Sequence, residues 1–207
     1  MDPLEIERRS MAIIESELQT PLAPDIRPIV LRVIHATADF SFADTLRFTP
    51  GVVDYMRALL RSGATVITDT NMALAGISKS AIRAVGATAE CFMADPLIAS
   101  EAKARQTTRA QISMEHALEK SGPKLFVCGN APTFLFPLLD RAASIQHSGA
   151  QIGVIGVPVG FVNVVEAKER LWASGLPCIA AMGRRGGSNV AAAIVNALLY
   201  GIPGGRP

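Results

Sequence analysis

The sequence predicts an α/β fold, a single domain over residues 1–207 with a mainly parallel sheet flanked by helices in a three-layer, Rossmann-like arrangement. Three observations predict it. Five short apolar runs carry few charges, as strands do when helices cover both faces of a sheet. Helical patterns separate most of these runs, the alternation that builds parallel strands. Three of the runs end in small-residue loops that open a helix, the form of a strand-to-helix turn.

The elements follow in order. A first helix over residues 3–18 is joined by Gln19-Thr20-Pro21-Leu22-Ala23-Pro24, so residues 1–24 read as an N-terminal helix and loop suited to lie across a neighbouring subunit. Asp25 can cap the next helix, and Pro28 is tolerable in its first turn, where amides lack intrahelical partners. Thr49 can cap a helix over 52–62, with Pro50 at its first position and Gly63 after its last turn. Strands are predicted over 64–69, 88–93, 124–128, 151–157 and 177–182. The last helix, 190–199, is apolar nearly all round and must bury its faces somewhere. The tail 203–207 is expected to fray.

The 207 residues are enough for one sizeable core. With 49% hydrophobic and 18% charged residues the chain folds, and its net charge of +2 is too small to attract a polyanion. Scattered basic residues and few aromatics give nucleic acid binding little support. No apolar run spans a bilayer and no charged-then-apolar leader opens the chain, so no membrane and a cytoplasmic location are expected. Cys91, Cys128 and Cys178 lie far apart without CxxC spacing, which argues against a disulfide framework and against a zinc site. Buried, reduced thiols are expected, and no metal site.

Chemistry concentrates in two places. Arg32, His35 and Asp39 fall at i, i+3 and i+7, which places three ionisable groups on one face of an otherwise apolar helix. Histidine titrates near neutrality, so such a group can pass a proton to a bound molecule, with Arg32 pulling its pKa down and Asp39 pushing it up. The plainer alternative is a solvated face around a half-buried histidine. The second place is the set of loops 127–133, 155–161 and 182–188. On one edge of a parallel sheet their free amides and helix dipoles would attract an anionic ligand, with glycine allowing close approach.

A nucleotide is the competing occupant. Gly153, Gly156 and Gly160 are spaced GxxGxxxG and not GxGxxG, and no GxxxxGK[ST] loop exists. Arg109 is the other polar candidate, on a helix where Arg105 shares its face by i+4 spacing, although solvated arginines would look the same. His116 and His147 are expected in solvent. Glu166, Lys168, Glu169 and Arg170 read as one exposed helix face. Nothing has the order or spacing of a hydrolytic triad or carboxylate pair.

Taken together, Arg32-Val33-Ile34-His35-Ala36-Thr37-Ala38-Asp39-Phe40, Cys128-Gly129-Asn130-Ala131-Pro132-Thr133, Gly156-Val157-Pro158-Val159-Gly160-Phe161-Val162 and Gly183-Arg184-Arg185-Gly186-Gly187-Ser188 resemble the precorrin-8X methylmutase family of cobalamin biosynthesis. Arg8 to Ile14 and Asp69-Thr70-Asn71-Met72 extend the likeness over nearly the whole chain. The resemblance implies an isomerase that moves a methyl group from ring carbon 11 to ring carbon 12 of a tetrapyrrole, giving hydrogenobyrinate or cobyrinate, with no cofactor. It implies His35 as the general acid and a substrate held by Ser10, Arg32, Ser78, Arg109, Gly129, Asn130, Gly186, Gly187 and Ser188. At Ser78 the family pattern has threonine, so the hydroxyl is kept. It also implies a homodimer with active sites at the interface. Precorrin-8X and cobalt-precorrin-8 both stay open as substrate, and Ala38-Asp39-Phe40-Ser41-Phe42 leans towards the cobalt enzymes. The rivals are a corrinoid-binding carrier without catalysis and a nucleotide-dependent oxidoreductase.

Overall fold

The computed structural model describes residues 2–205. Its first helix, α1 (Pro3–Glu17), is joined by an irregular loop to α2 (Arg27–Thr37), and one further turn, α3 (Phe42–Thr45), leads straight into strand β1 (Leu46–Phe48). There follow α4 (Val52–Arg61), β2 (Thr65–Thr68), α5 (Asn71–Gly76), α6 (Lys79–Ala84), β3 (Thr88–Glu90), α7 (Pro96–Ala104) and α8 (Arg109–Glu119). The second half runs β4 (Lys124–Cys128), a 3-10 turn (Pro132–Phe134), α9 (Phe136–Asp140), α10 (Ala142–Ser148), β5 (Ile152–Gly156), α11 (Val164–Ala173), β6 (Cys178–Ala181) and α12 (Ser188–Tyr200).

The strands form one sheet in the order β1-β6-β5-β4-β2-β3, parallel throughout except for β1, which pairs antiparallel with β6. Side chains alternate across it as strand geometry requires. Leu125 and Val127 of β4 join one buried layer with α2, α4 and α12, while Phe126 and Cys128 join the other with α8, α9 and α11. This is the predicted three-layer α/β fold.

β1 is the strand that the sequence does not predict. Three residues cannot display a period, and Thr49 misleads because it resembles a cap. Its hydroxyl instead accepts from the Cys178 amide at 2.9 Å while its own amide donates to the Cys178 carbonyl at 3.1 Å, extending the β1–β6 ladder. Gly51, in the left-handed region, stands at the cap position of α4 with no side-chain bond. Asp25 is corrected likewise: Ile26 occupies the cap position of α2, again without a side-chain bond.

The helices at the two ends, the cysteines and the tail are placed as follows. The apolar helix α12 buries its faces inside its own chain, against α2, α4 and α5, so it leaves no face that needs a partner. The N-terminal helix docks on α2 of the same chain through Met11 and Ile14, with ion pairs Arg32–Glu7 at 2.8 Å and Arg27–Glu15 at 3.3 Å. Cys128 and Cys178 are buried as predicted, whereas Cys91 is only half-buried, just beyond β3. In the tail, Pro203 and Gly204 are exposed but Gly205 is buried with its amide on the Ile202 carbonyl, and the last two positions of the 203–207 segment lie outside the described residues. No helix among the described residues is long and apolar enough to cross a membrane.

Candidate active site

The sheet order fixes where a ligand belongs. The chain steps outward from β2 to β3 and returns to β4 on the other side of β2, so the topological switch point lies between the carboxyl ends of β2 and β4. A doubly wound sheet ordinarily receives its ligand there, on the loop amides.

Here the amides are already occupied. Asp69, directly after β2, accepts from the amide of Gly129 at 2.9 Å and from those of Asn130 and Ala131 at 2.7 Å each. The Cys128 thiol adds a contact at 3.7 Å. Burial pushes the Asp69 carboxyl up, and the three amides act against that shift. Burial, followed by the Asp69 charge, raises the Cys128 thiol well above its ordinary value, so this cysteine is no nucleophile. The expectation that Gly129 and Asn130 offer free amides to an anion is therefore corrected, because Asp69 takes both. These three amides are thus not available to the pyrophosphate of a nucleotide at the switch point.

Gly129 is required for space: a Cβ there would stand 2.8 Å from the Cα of Ser188. Gly186 is required for the same reason, because its Cβ would collide with the Val157 carbonyl. Gly187, whose amide donates to that carbonyl at 2.9 Å, and Ser188, whose hydroxyl meets that of Thr70 at 2.8 Å, are both buried. Four of the predicted residues, Gly129, Gly186, Gly187 and Ser188, are thus packed into one floor, with exposed Asn130 at its margin.

Beneath the floor lies Lys168. The sequence reading puts it on an exposed face, but α11 buries Val164, Ala167, Lys168 and Leu171, the i, i+3, i+4, i+7 stripe, with the lysine in a core position. Its ammonium donates to the carbonyls of Gly183 at 2.8 Å and Arg185 at 2.7 Å. Burial lowers its pKa to about 8. Above it Gly183, Arg184 and Arg185 are exposed, and the Arg184 guanidinium lies 5.4 Å over the ring of the exposed Phe161 from the neighbouring loop.

His35 lies in the last turn of α2, the helix whose end is tied to this rim. The helix stops at Thr37, whose hydroxyl bonds the Val33 carbonyl, and Ala38 turns left-handed at φ 52°. Asp39 is consequently off the helix and does not share a stripe with His35, which corrects the predicted three-charge face. Asp39 accepts from Arg185 at 2.5 Å and from the Ser41 amide at 3.0 Å, while Arg185 also donates to the Ser41 hydroxyl at 2.6 Å. The Ser41 side chain, then Arg185, hold the Asp39 carboxyl below its ordinary value. These contacts tie the end of α2 to the floor and leave the His35 ring exposed, with no hydrogen bond or ion pair among the described residues.

The remaining predicted residues divide. Arg109 opens α8 beside the rim: its guanidinium bonds the Met93 carbonyl at 3.2 Å, and the preceding Thr108 hydroxyl donates to Thr133 at 2.8 Å. Arg105 does not share its helix, being the residue that ends α7, where it pairs with Glu101 and Glu115. Arg32 points the other way, to Glu7 and over the Tyr200 ring at 5.2 Å, in a groove between α1, α2 and the end of α12. Ser10 sits half-buried on α1. Ser78 caps α6, accepting from the Ala81 amide at 3.3 Å, and its own amide donates to Asn196, more than two turns along α12 from the floor. Within one chain, Ser10, Arg32 and Ser78 do not join the rim. His116 is exposed as predicted yet bonds Glu101 at 2.8 Å, and His147 bonds the Ala143 carbonyl at 2.6 Å.

Asp69 and Lys168 are the two residues of the site that sequence reasoning misses. A lone acid at the carboxyl end of an apolar strand signals the first. A lysine at a core position of the 164/167/168/171 stripe signals the second.

Comparison with known proteins matches this architecture closely. The family described as precorrin-8X methylmutase matches residues 5–201. A cobalt-precorrin-8 methylmutase of Salmonella typhimurium is 43% identical, with 96% of this chain and 95% of the relative covered. A precorrin-8X methylmutase of Pseudomonas aeruginosa is 38% identical over 93% of each chain. The crystal structure of a precorrin-8X methyl mutase from Thermus thermophilus superposes with a TM-score of 0.84 at 34% identity, covering 94% of this chain and 96% of that one. A family match over almost all of the chain, with the same fold and with relatives of equal length, means that this chain belongs to the precorrin-8X methylmutase family.

Proposed function

We propose that this chain isomerises precorrin-8X or cobalt-precorrin-8, moving the methyl group from ring carbon 11 to ring carbon 12, with His35 as general acid. A methyl shift within one conjugated ring system neither gains nor loses electrons, so the protein's task is to supply a proton and hold the macrocycle still. Protonating the ring raises electron demand where the methyl must go, and a donor that titrates near ambient pH serves best. The observation that carries the reading is His35: a histidine with a free, exposed ring, anchored one turn from the rim by the Asp39–Arg185 pair.

The acetate and propionate arms of the substrate need fixed positive charge, and the exposed Arg109 at the rim supplies it with several donors still free. Ser10, Arg32 and Ser78 bind substrate in this reading only if a second copy brings them to the rim of the first, so the proposed enzyme is a homodimer with sites at the interface. Exposed Ile6 and Ile13 on α1, and Phe161 and Val162 at the rim, give such an interface apolar contacts. The proposed location is the cytoplasm.

The test is conversion of each substrate form by the purified protein with nothing else added, followed by the visible spectrum. Appearance of the hydrogenobyrinate or cobyrinate spectrum supports the reading and shows which form is used. Tight binding of either product without any conversion would make the protein a corrinoid carrier instead.

A further inference from the structure

Lys168 is a buried cation with no carboxylate partner among the described residues, in a position the 164/167/168/171 stripe reserves for an apolar side chain. Burying an ammonium is costly, and a well-packed apolar residue of similar volume ordinarily does as well or better for stability. Its contacts indicate what the charge does there. Two of its hydrogen bonds converge on one loop, at the carbonyls of Gly183 and Arg185. The guanidinium of that same Arg185 grips Asp39 and Ser41, the turn that ends the helix bearing His35.

We infer that Lys168 is a positioning residue for His35, acting through the Arg185 backbone and the Arg185–Asp39 ion pair. The inference rests on the methylmutase reading for its effect on turnover, but the mechanical link does not. From below, the ammonium fixes the direction of the Arg185 main chain. From above, the guanidinium fixes the α2–α3 corner. A proton donor needs its ring set to within a fraction of an ångström, and a displacement of about 1 Å costs on the order of a hundredfold in rate. The exposed end of α2 has no other side-chain tie to the floor loops among the described residues than this one.

Four variants test it: Lys168→Met, Arg185→Ala, Arg185→Lys and the double Lys168→Met/Arg185→Ala. The chain has 3 histidines, so their ring C–H resonances are readily assigned by NMR. The His35 resonance is expected to move in Lys168→Met and in Arg185→Ala, with those of His116 and His147 unmoved. In single-turnover conversion both variants are expected to slow the bound complex roughly ten- to a hundredfold. The product Kd should change less than about threefold, Arg185→Lys should recover most of the rate, and the double variant should be no slower than the slower single. A stationary His35 resonance in a folded Lys168→Met overturns the relay whether or not the wild type turns over, and so does multiplication of the two effects in the double. Should Lys168→Met fail to fold, Arg185→Ala decides alone: an unmoved His35 resonance overturns the relay. Absence of turnover in the wild type would instead overturn the methylmutase reading.

Discussion

The rim of the sheet and the α7–α8 pair hold their charges in opposite ways. At the rim, Asp69 and Lys168 are each 0% exposed and have no ion-pair partner among the described residues; backbone amides hold the one and backbone carbonyls the other. Across α7 and α8, Arg105 pairs with Glu101 at 2.8 Å and Glu115 at 2.6 Å, and His116 meets Glu101, with Arg105 and His116 exposed and the two carboxylates half-buried. A buried charge bonded to backbone dictates the path of a loop, since its removal strands several main-chain groups at once. An exposed pair adds little to stability, because water and salt compete for both partners, even where, as in Asp39–Arg185, it sets the direction of a turn. The floor loops are therefore a part of the molecule whose path is fixed by buried charge, with Arg109 beside them and the end of α2 tied to them through Arg185.

The largest effect should come from Asp69→Ala, which leaves the amides of Gly129, Asn130 and Ala131 without their acceptor. Stability should fall by about 3 kcal/mol or more, read from urea unfolding; a loss below about 1 kcal/mol would make the rim no different from the α7–α8 pair. Next comes Arg109→Ala, expected to weaken product binding about tenfold, the worth of one charge-assisted contact, while slowing the bound complex less. An unchanged Kd would return Arg109 to the solvated surface. A smaller effect is carried by pH. Burial lowers the pKa of Lys168 to about 8, below its value in the unfolded chain, so from that pH upward the unfolded chain binds the extra proton and the folded state gains. Relative to Lys168→Met, the wild type should grow more stable between about pH 8 and pH 10; a flat difference would mean that the ammonium is solvated. Smallest of all, Arg105→Ala should leave the unfolding midpoint nearly where it was, and a large shift would erase the contrast between the two regions.

Much of this was legible in the sequence. Four of the five predicted strands, β2, β4, β5 and β6, could be read because they are buried almost throughout and nearly free of charge, β3 is a partly exposed edge strand, and the floor glycines could be read because strand-to-helix loops need small residues. The parts that were not legible have physical causes. β1 is three residues long and antiparallel, so neither its period nor its partner is encoded locally. Asp39 lies at i+7 from Arg32, but Ala38 in the left-handed region rotates it off the helix, a backbone event that spacing cannot report. The amides of Gly129 and Asn130 look free in one dimension, since their acceptor, Asp69, sits sixty residues earlier in the chain. Lys168 shows the same limit: its charge suggests solvent, and only the position it occupies in the stripe suggests the core.

His35 is the group proposed to deliver the proton, on a helix whose end is tied to the floor loops. The most direct measurement compares wild type with His35→Ala in single-turnover conversion of precorrin-8X or cobalt-precorrin-8, whichever the wild type accepts, alongside product binding by visible absorbance. The prediction is a turnover at least roughly a hundredfold slower, the scale for loss of a general acid, with product affinity retained. Turnover near that of the wild type would take His35 out of the mechanism.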